Sequence, residues 1–321
     1  MGLFPPTRVD HVPSGPWKLE VRRYDVPATR VAGRRPLVMI PGYAMNTHVL
    51  AFHPRGRSMV EYLVAEGFDV WTANLRGQGG AIGPSADRFG IGELVLDDLP
   101  AVLEHVRQVS GAGEVDVIGC SLGGSLVYAW LAHHPHDHGI GNVITIGAPL
   151  RWDSVHPLLR AAFVSGRLAG AVPIKGTRAL AGMFLPLLRR VPGVLSMYMN
   201  PAHVDLSQID RLVETVDDPV PWINRQMARW IQQHDLVVRG VNVTTGLGRV
   251  EGVHVLAIVA NRDGIVPPTA ARSITHAMAH ATVHAVGDAE SWYAHADLFV
   301  GDNAEEDVFE PMATWLVGVS S

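Results

Sequence analysis

The sequence predicts an α/β fold: a mostly parallel sheet, covered by helices on both faces and interrupted by one helical insertion. Three observations predict it. Short apolar runs bounded by Gly or Pro recur along the chain, helical patterns lie between most of them, and one long stretch breaks the alternation. The chain has 321 residues, 47% apolar and 18% charged, enough to bury an ordinary globular core and too apolar for a disordered chain. Mean hydropathy is only slightly apolar, at +0.14. With 26 basic against 31 acidic residues the formal charge is −5, so no strong field gathers nucleic acid or an anionic membrane.

The single cysteine, Cys120, excludes an intrachain disulfide and any cluster of thiolate metal ligands. The first residues lack the basic start and apolar run of a secretory signal, and Pro6 stands where a myristoylation motif requires Ser or Thr. The longest span without formal charge, Val117 to His136, is punctuated by Gly119, Gly123, Gly124 and Pro135 and reads as a turn plus a buried helix. These features lead to the expectation of a soluble cytoplasmic protein without stable membrane insertion, export by an uncleaved route staying open. Oligomeric state is not readable.

Taken in order, the start is polar, and Trp17–Val26 and Arg30–Val31 look like short strands with period-two alternation. The apolar run Pro36–Ile40 follows, and similar runs recur at Asp69–Thr72, Val115–Ile118, Asn142–Ile146, His254–Val259 and Thr282–Val286. Helical patterns cover Arg57–Glu66, Gly92–Val109, Leu122–His134, Thr269–Ala279 and Ala304–Val317. Within the second of these, Asp97 and Asp98 are expected to begin or solvate the helix. The core is therefore assigned to residues 1–149 and 250–321, and the helical cap insertion to 150–249, where no clear buried strand is visible. Its apolar segments, Ala161–Val172 and Met183–Leu188, are too short and interrupted to span a bilayer.

The strongest chemical signal is Gly119-Cys120-Ser121-Leu122-Gly123, between the strand Val115–Ile118 and an apolar helix. A nucleophile at such a junction needs a tight turn, and glycines two positions to either side remove side chains that would collide there. Ser121 then stands at a helix N-terminus, where the dipole favours a developing oxyanion. A serine hydroxyl needs a base held by an acid, expected in the chain order Ser, acid, His. Asp263 lies in a turn beyond the strand His254–Val259, and His295 lies in a late loop before the last helix. His254, His276, His280 and His284 fall within a strand or helix and are less suited, while Asp153 and Asp288 are the substitutes for the acid.

An ester carbonyl turning tetrahedral needs two donors. The Leu122 N–H, next after the nucleophile, is one; the Tyr43 N–H, in the loop Pro41–Ala44 where Gly42 permits close approach, is the second, with the Tyr43 phenol as the alternative. The run His133-His-Pro-His136-Asp-His138 has the look of a metal cluster, but Pro135 and the helix end make it a polar loop. No metal or cofactor is called for.

These residues resemble the α/β-hydrolase family over nearly the whole chain apart from the insertion. Pro41–Thr47, Leu63–Gly77 and His295–Gly301 look like the branch containing acid lipases and polyhydroxyalkanoate-synthase-like hydrolases. The resemblance implies a nucleophile-elbow enzyme with Ser121, Asp263 and His295 as triad and Tyr43 and Leu122 as oxyanion donors. Two departures stand out: Pro41–Gly42 replaces the family's usual His-Gly, and Ser121 occupies the position where polyester synthases carry cysteine, with Cys120 off-centre. The second favours hydrolysis over chain-growing acyl transfer. The expected function is thus a serine carboxylic-ester hydrolase on short to medium apolar acyl esters, its partner a small-molecule ester. An acyltransferase or polyester-degrading enzyme, and a non-catalytic binding protein on the same scaffold, are the alternatives. Epoxide hydrolases and haloalkane dehalogenases require a carboxylate where Ser121 stands.

Overall fold

The computed structural model describes residues 3–85, 87–163, 176–179 and 192–319. Eight strands form one sheet: β1 (Arg8–Ser14), β2 (Trp17–Tyr24), β3 (Leu37–Ile40), β4 (Val70–Asn74), β5 (Val115–Cys120), β6 (Ile140–Ile146), β9 (His254–Ala260) and β10 (Ala281–Val286). Two short strands, β7 (Val237–Val238) and β8 (Val241–Asn242), pair separately as a hairpin within the insertion. The sheet order is β1-β2-β4-β3-β5-β6-β9-β10. From β4 to β10 every pairing is parallel, while β1 and β2 add antiparallel strands at one edge.

Strand alternation divides the core into two layers. Val38 and Ile40 of β3 join Val115, Val117 and the helix Leu122–His133 on one face. Leu37 and Met39 face the other, against the helices Met59–Ala65 and Glu310–Val319. The fully apolar runs read from the sequence follow from this: a strand covered on both faces has no solvent side to carry polar residues.

Three expectations change. The polar start is an edge strand: β1 pairs in register with β2 from Arg8↔Arg23 to Ser14↔Trp17, and Gly15 turns the hairpin at φ +55°. Its polar alternation suits an edge half exposed to water. Arg30–Val31 forms no strand and lies between two turns, with the Val31 N–H donating to the Gly67 carbonyl. Asp98 is neither a solvated nor a capping carboxylate. It is fully buried in an ion pair with Arg76 (2.6 Å) and accepts from the Ser14 hydroxyl (2.6 Å), tying β1 to the loop after β4. A buried carboxylate needs such partners to offset its lost hydration.

Between β6 and β9, described residues form the short helices Pro157–Ala162, Pro192–Leu195 and Ile209–Leu212 and the longer Pro221–Gln233. The apolar segments 164–172 and 183–188 lie outside the described residues. The helix Val243–Leu247 returns to the core, where Gly246 packs so closely on Ala132 that a Cβ there would stand 2.6 Å from the Ala132 Cβ. Among the described residues no helix is long and apolar enough to cross a membrane.

Candidate active site

The chain turns from β5 into the helix Leu122–His133 through Ser121, which holds φ +50°, ψ −122°. A non-glycine residue at positive φ is strained and needs surrounding structure to hold it there. Three features do so. The Ser121 N–H donates to the Ile146 carbonyl (2.8 Å). A Cβ on Gly119 would meet the Gly124 Cα at 2.4 Å, and one on Gly123 would meet the Ile40 carbonyl oxygen at 2.5 Å, so larger residues would force the turn open. Cys120 points into the opposite layer, buried, where loss of hydration raises its thiol pKa and keeps it protonated.

Asp263 and His295 meet across the C-terminal ends of β9 and β10: Asp263 Oδ2 lies 2.6 Å from His295 Nδ1, and both residues are buried. The other carboxylate oxygen, Oδ1, accepts the Ile265 and Val266 N–H groups, each at 2.8 Å. These bonds fix the carboxylate, and the carboxylate orients the imidazole with Nδ1 occupied. Gly147, at φ +55° beyond β6, leaves the room: a Cβ there would stand 3.0 Å from His295 Cε1. Of the substitute acids, Asp153 is exposed beside Arg151, and Asp288 is exposed in a turn where it accepts the Glu290 and Ser291 N–H groups. Neither reaches His295.

On the other side of Ser121, a Cβ on Gly42 would stand 2.9 Å from the Ser121 Cβ, so the loop after β3 passes directly beside the nucleophile position. Gln78 pins that loop by donating to the Gly42 carbonyl (2.9 Å). The Tyr43 phenol turns away to the insertion, donating to Asn224 Oδ1 (2.5 Å), and burial raises its pKa. The phenol being engaged there, the backbone N–H is the group of Tyr43 left to serve an oxyanion. Leu122 opens the helix after Ser121, and its N–H belongs to the first turn, where amides lack intrahelical partners.

Ser121, Leu122, Tyr43 and His295 line one cavity of about 420 Å³, together with residues from between β6 and β9 such as Leu212, Val216, Met227 and Trp230. None of its described lining residues is Lys, Arg, Asp or Glu. Its size and character suit a small apolar ligand.

Sequence reasoning did not single out several residues that build this site. Asn261 joins the acid and histidine loops, accepting from the Tyr293 N–H (2.9 Å) and donating to the Asp288 carbonyl (2.6 Å). Asp297 is buried and accepts the Ala294 N–H (2.7 Å) and the Asn200 N–H (2.9 Å). Burial pushes its carboxyl up to about 7. Asn261 and Asp297 each lie two residues from a predicted site residue, and that adjacency was the available signal. In the histidine-rich run, His133 contacts the Val238 carbonyl, His134 stacks on Trp130, and His138 accepts the Ile140 N–H.

A parallel sheet with a strained serine at a strand-to-helix turn, and a histidine and aspartate in contact beyond later strands, defines the architecture of a nucleophile-elbow protein. The family model described as the alpha/beta hydrolase fold matches residues 35–294, and the chain belongs to that family. Among curated relatives, a probable lipase of Schizosaccharomyces pombe is 26% identical over 30% of this chain and 23% of its own length. A monoacylglycerol lipase of Mycolicibacterium smegmatis is 29% identical over 54% of this chain and 58% of its own. The chain thus matches well under two thirds of these relatives' lengths. Among solved structures, a thermophilic esterase from Thermogutta terrifontis superposes with a TM-score of 0.66 at 16% identity, covering 98% of this chain and 99% of that one. The esterase RhEst1 from Rhodococcus gives 0.63 at 14%, covering 97% and 99%. These structures share the fold.

Proposed function

We propose that this protein is a serine carboxylic-ester hydrolase acting on neutral esters with short to medium apolar acyl chains. The observation that carries the reading is the 2.6 Å Asp263–His295 contact opening on the same cavity as the strained Ser121, with no charged side chain among its described lining residues. The Ser121 hydroxyl attacks the ester carbonyl while His295 takes its proton, and Asp263 stabilises the imidazolium. The oxyanion lies against the Leu122 and Tyr43 N–H groups. Collapse of the tetrahedral species expels the alcohol, which receives the proton from His295. Water, deprotonated by the same imidazole, then cleaves the acyl-enzyme and releases the acid. Residues 150–249 act as the cap that shapes the acyl pocket.

Labelling by a fluorophosphonate, lost in Ser121→Ala, together with hydrolysis of aryl esters from acetyl to palmitoyl, tests the reading. Each buried methylene is worth about 0.8 kcal/mol, so kcat/KM should rise about fourfold per carbon until the pocket ends and then fall. A flat profile removes the enclosed pocket. A jump in rate on emulsified substrate would replace this reading with an interface-activated lipase. Partition of the acyl group to an added alcohol in preference to water would favour acyl transfer, and a folded protein that neither labels nor hydrolyses would be a binding protein.

A further inference from the structure

The cavity beside Ser121 and His295 holds few other hydrogen-bonding side chains, and most are engaged or sealed. The Tyr43 phenol bonds Asn224, and the Thr215 hydroxyl donates to the Leu212 carbonyl (2.6 Å). The indoles of Trp152 and Trp230 pack edge to face at 5.7 Å, with their N–H groups buried in the wall. Tyr198 differs. It lines the cavity, its phenol makes no hydrogen bond among the described residues, and its ring stands 6.4 Å from that of His295. The backbone holds it there: the Ala296 N–H, next to His295, donates to the Tyr198 carbonyl (2.7 Å).

An unpaired hydroxyl in an apolar cavity is costly, and a ligand oxygen placed beside it removes that cost. Burial together with the carboxylates of Asp263 and Asp297 pushes the phenol up to about 12, so it remains a donor. To return its proton, His295 must reach the leaving oxygen, so the alcohol part of the ester lies against the imidazole that Tyr198 flanks. With no charged side chain among the described lining residues, the matching ligand group is neutral.

We infer that Tyr198 is a specificity-determining residue whose hydroxyl binds a second, neutral oxygen on the alcohol part of the substrate, selecting monoesters of diols or polyols over esters of plain alkanols. This rests on the hydrolase reading above. Two ester pairs of matched shape test it, each assayed for kcat/KM with the wild-type protein and Tyr198→Phe. For 2-hydroxyethyl butyrate against propyl butyrate, the wild type should favour the hydroxyl ester, and the preference should fall about tenfold in the variant. For propyl 3-hydroxybutyrate against propyl 3-methylbutyrate, where the oxygen sits on the acyl side, the ratio should not move. An alcohol-side ratio unaltered by the variant, or a change confined to the acyl-side pair, overturns the inference. So does a wild-type protein that favours propyl butyrate, whether or not the variant folds. If no ester is hydrolysed and fluorophosphonate leaves Ser121 unlabelled, the hydrolase reading itself falls and takes this inference with it.

Discussion

The loops bearing Ser121, Asp263 and His295 are tied mainly into the sheet, the last two also bonding residues 197–200, whereas the loop bearing Tyr43 is tied to Gln78 and more extensively to residues 214–217. On the first side, the Ser121 N–H bonds to β6, Gly147 donates to the Ile258 carbonyl of β9, and Asn261 bonds the end of β10 through its N–H. On the second, Met45 bridges Val216, the Asn46 N–H donates to the Thr215 carbonyl (3.1 Å), and the Asp217 N–H donates to the Ala44 carbonyl (2.9 Å). The Asn46 side chain adds bonds to the Glu214 carbonyl (2.9 Å) and Asp217 (3.1 Å), while Asp217 also accepts the Gly79 N–H (2.8 Å). The proposed proton relay is therefore tied chiefly into the sheet, with Met197, Tyr198 and Asn200 also bonded to its loops. Placement of the proposed oxyanion donor depends more on residues 214–217, so a shift of that segment would reach the proposed chemistry through Tyr43.

This contrast sets an order of effects. Ser121→Ala and His295→Ala should each remove nearly all ester hydrolysis, on the order of 10⁴-fold, with the circular dichroism of the wild type. A folded Ser121→Ala protein with ordinary turnover would end the assignment. Asp263→Asn should cost about a thousandfold, because the imidazole loses its anionic partner, while Asp153→Asn and Asp288→Asn should stay near wild type. A reversed ranking would move the acid elsewhere.

On the cap side the effect should be smaller and of a different kind. Asn46→Ala leaves every group of the proton relay in place and loosens the loop of Tyr43, so kcat should fall about tenfold to a hundredfold with KM little changed. A rise in KM alone would mean that this contact shapes the pocket and has no part in placing the donor. Within the core, the smallest effect concerns stability. The Asp297 carboxyl titrates at about 7 in the folded chain against an ordinary 3.8, so between those values the folded state holds a proton that the unfolded state has released. Stability should fall as pH rises through that window and level off above it. Asp297→Asn, although it gives up an acceptor for the Ala294 and Asn200 N–H groups, should lack that slope. Melting curves that run parallel across the window would refute the assignment.

Much of this architecture was legible in the chain because doubly covered parallel strands are mostly apolar, and β3, β5, β6 and β9 read as such runs. The turn at Ser121 was legible for a similar local reason: a strand-to-helix reversal that tight tolerates only Gly at positions 119 and 123, as the 2.4 and 2.5 Å approaches of a Cβ there show. Asp263 and His295 stood out by their place after later strands. The edge strand β1 did not, because half-exposed strands carry polar residues that look like loop. Asp98 was misread because what makes it a buried ion pair is Arg76 together with Ser14, 84 positions away, and no local pattern reports such a partner.

The sequence by itself thus determined the parallel part of the sheet, the strained serine turn and the order of the three proposed catalytic residues, since each depends on burial and steric rules acting over a few neighbouring positions. Only the tertiary structure decided that Asp263 and His295 touch, that the Tyr43 phenol is engaged by Asn224, that Asn46 ties the loop to Glu214 and Asp217, and that Tyr198 stands beside His295. Those are contacts between loops far apart in the chain, and their geometry is set by where the sheet delivers each loop and by how the insertion folds back over them.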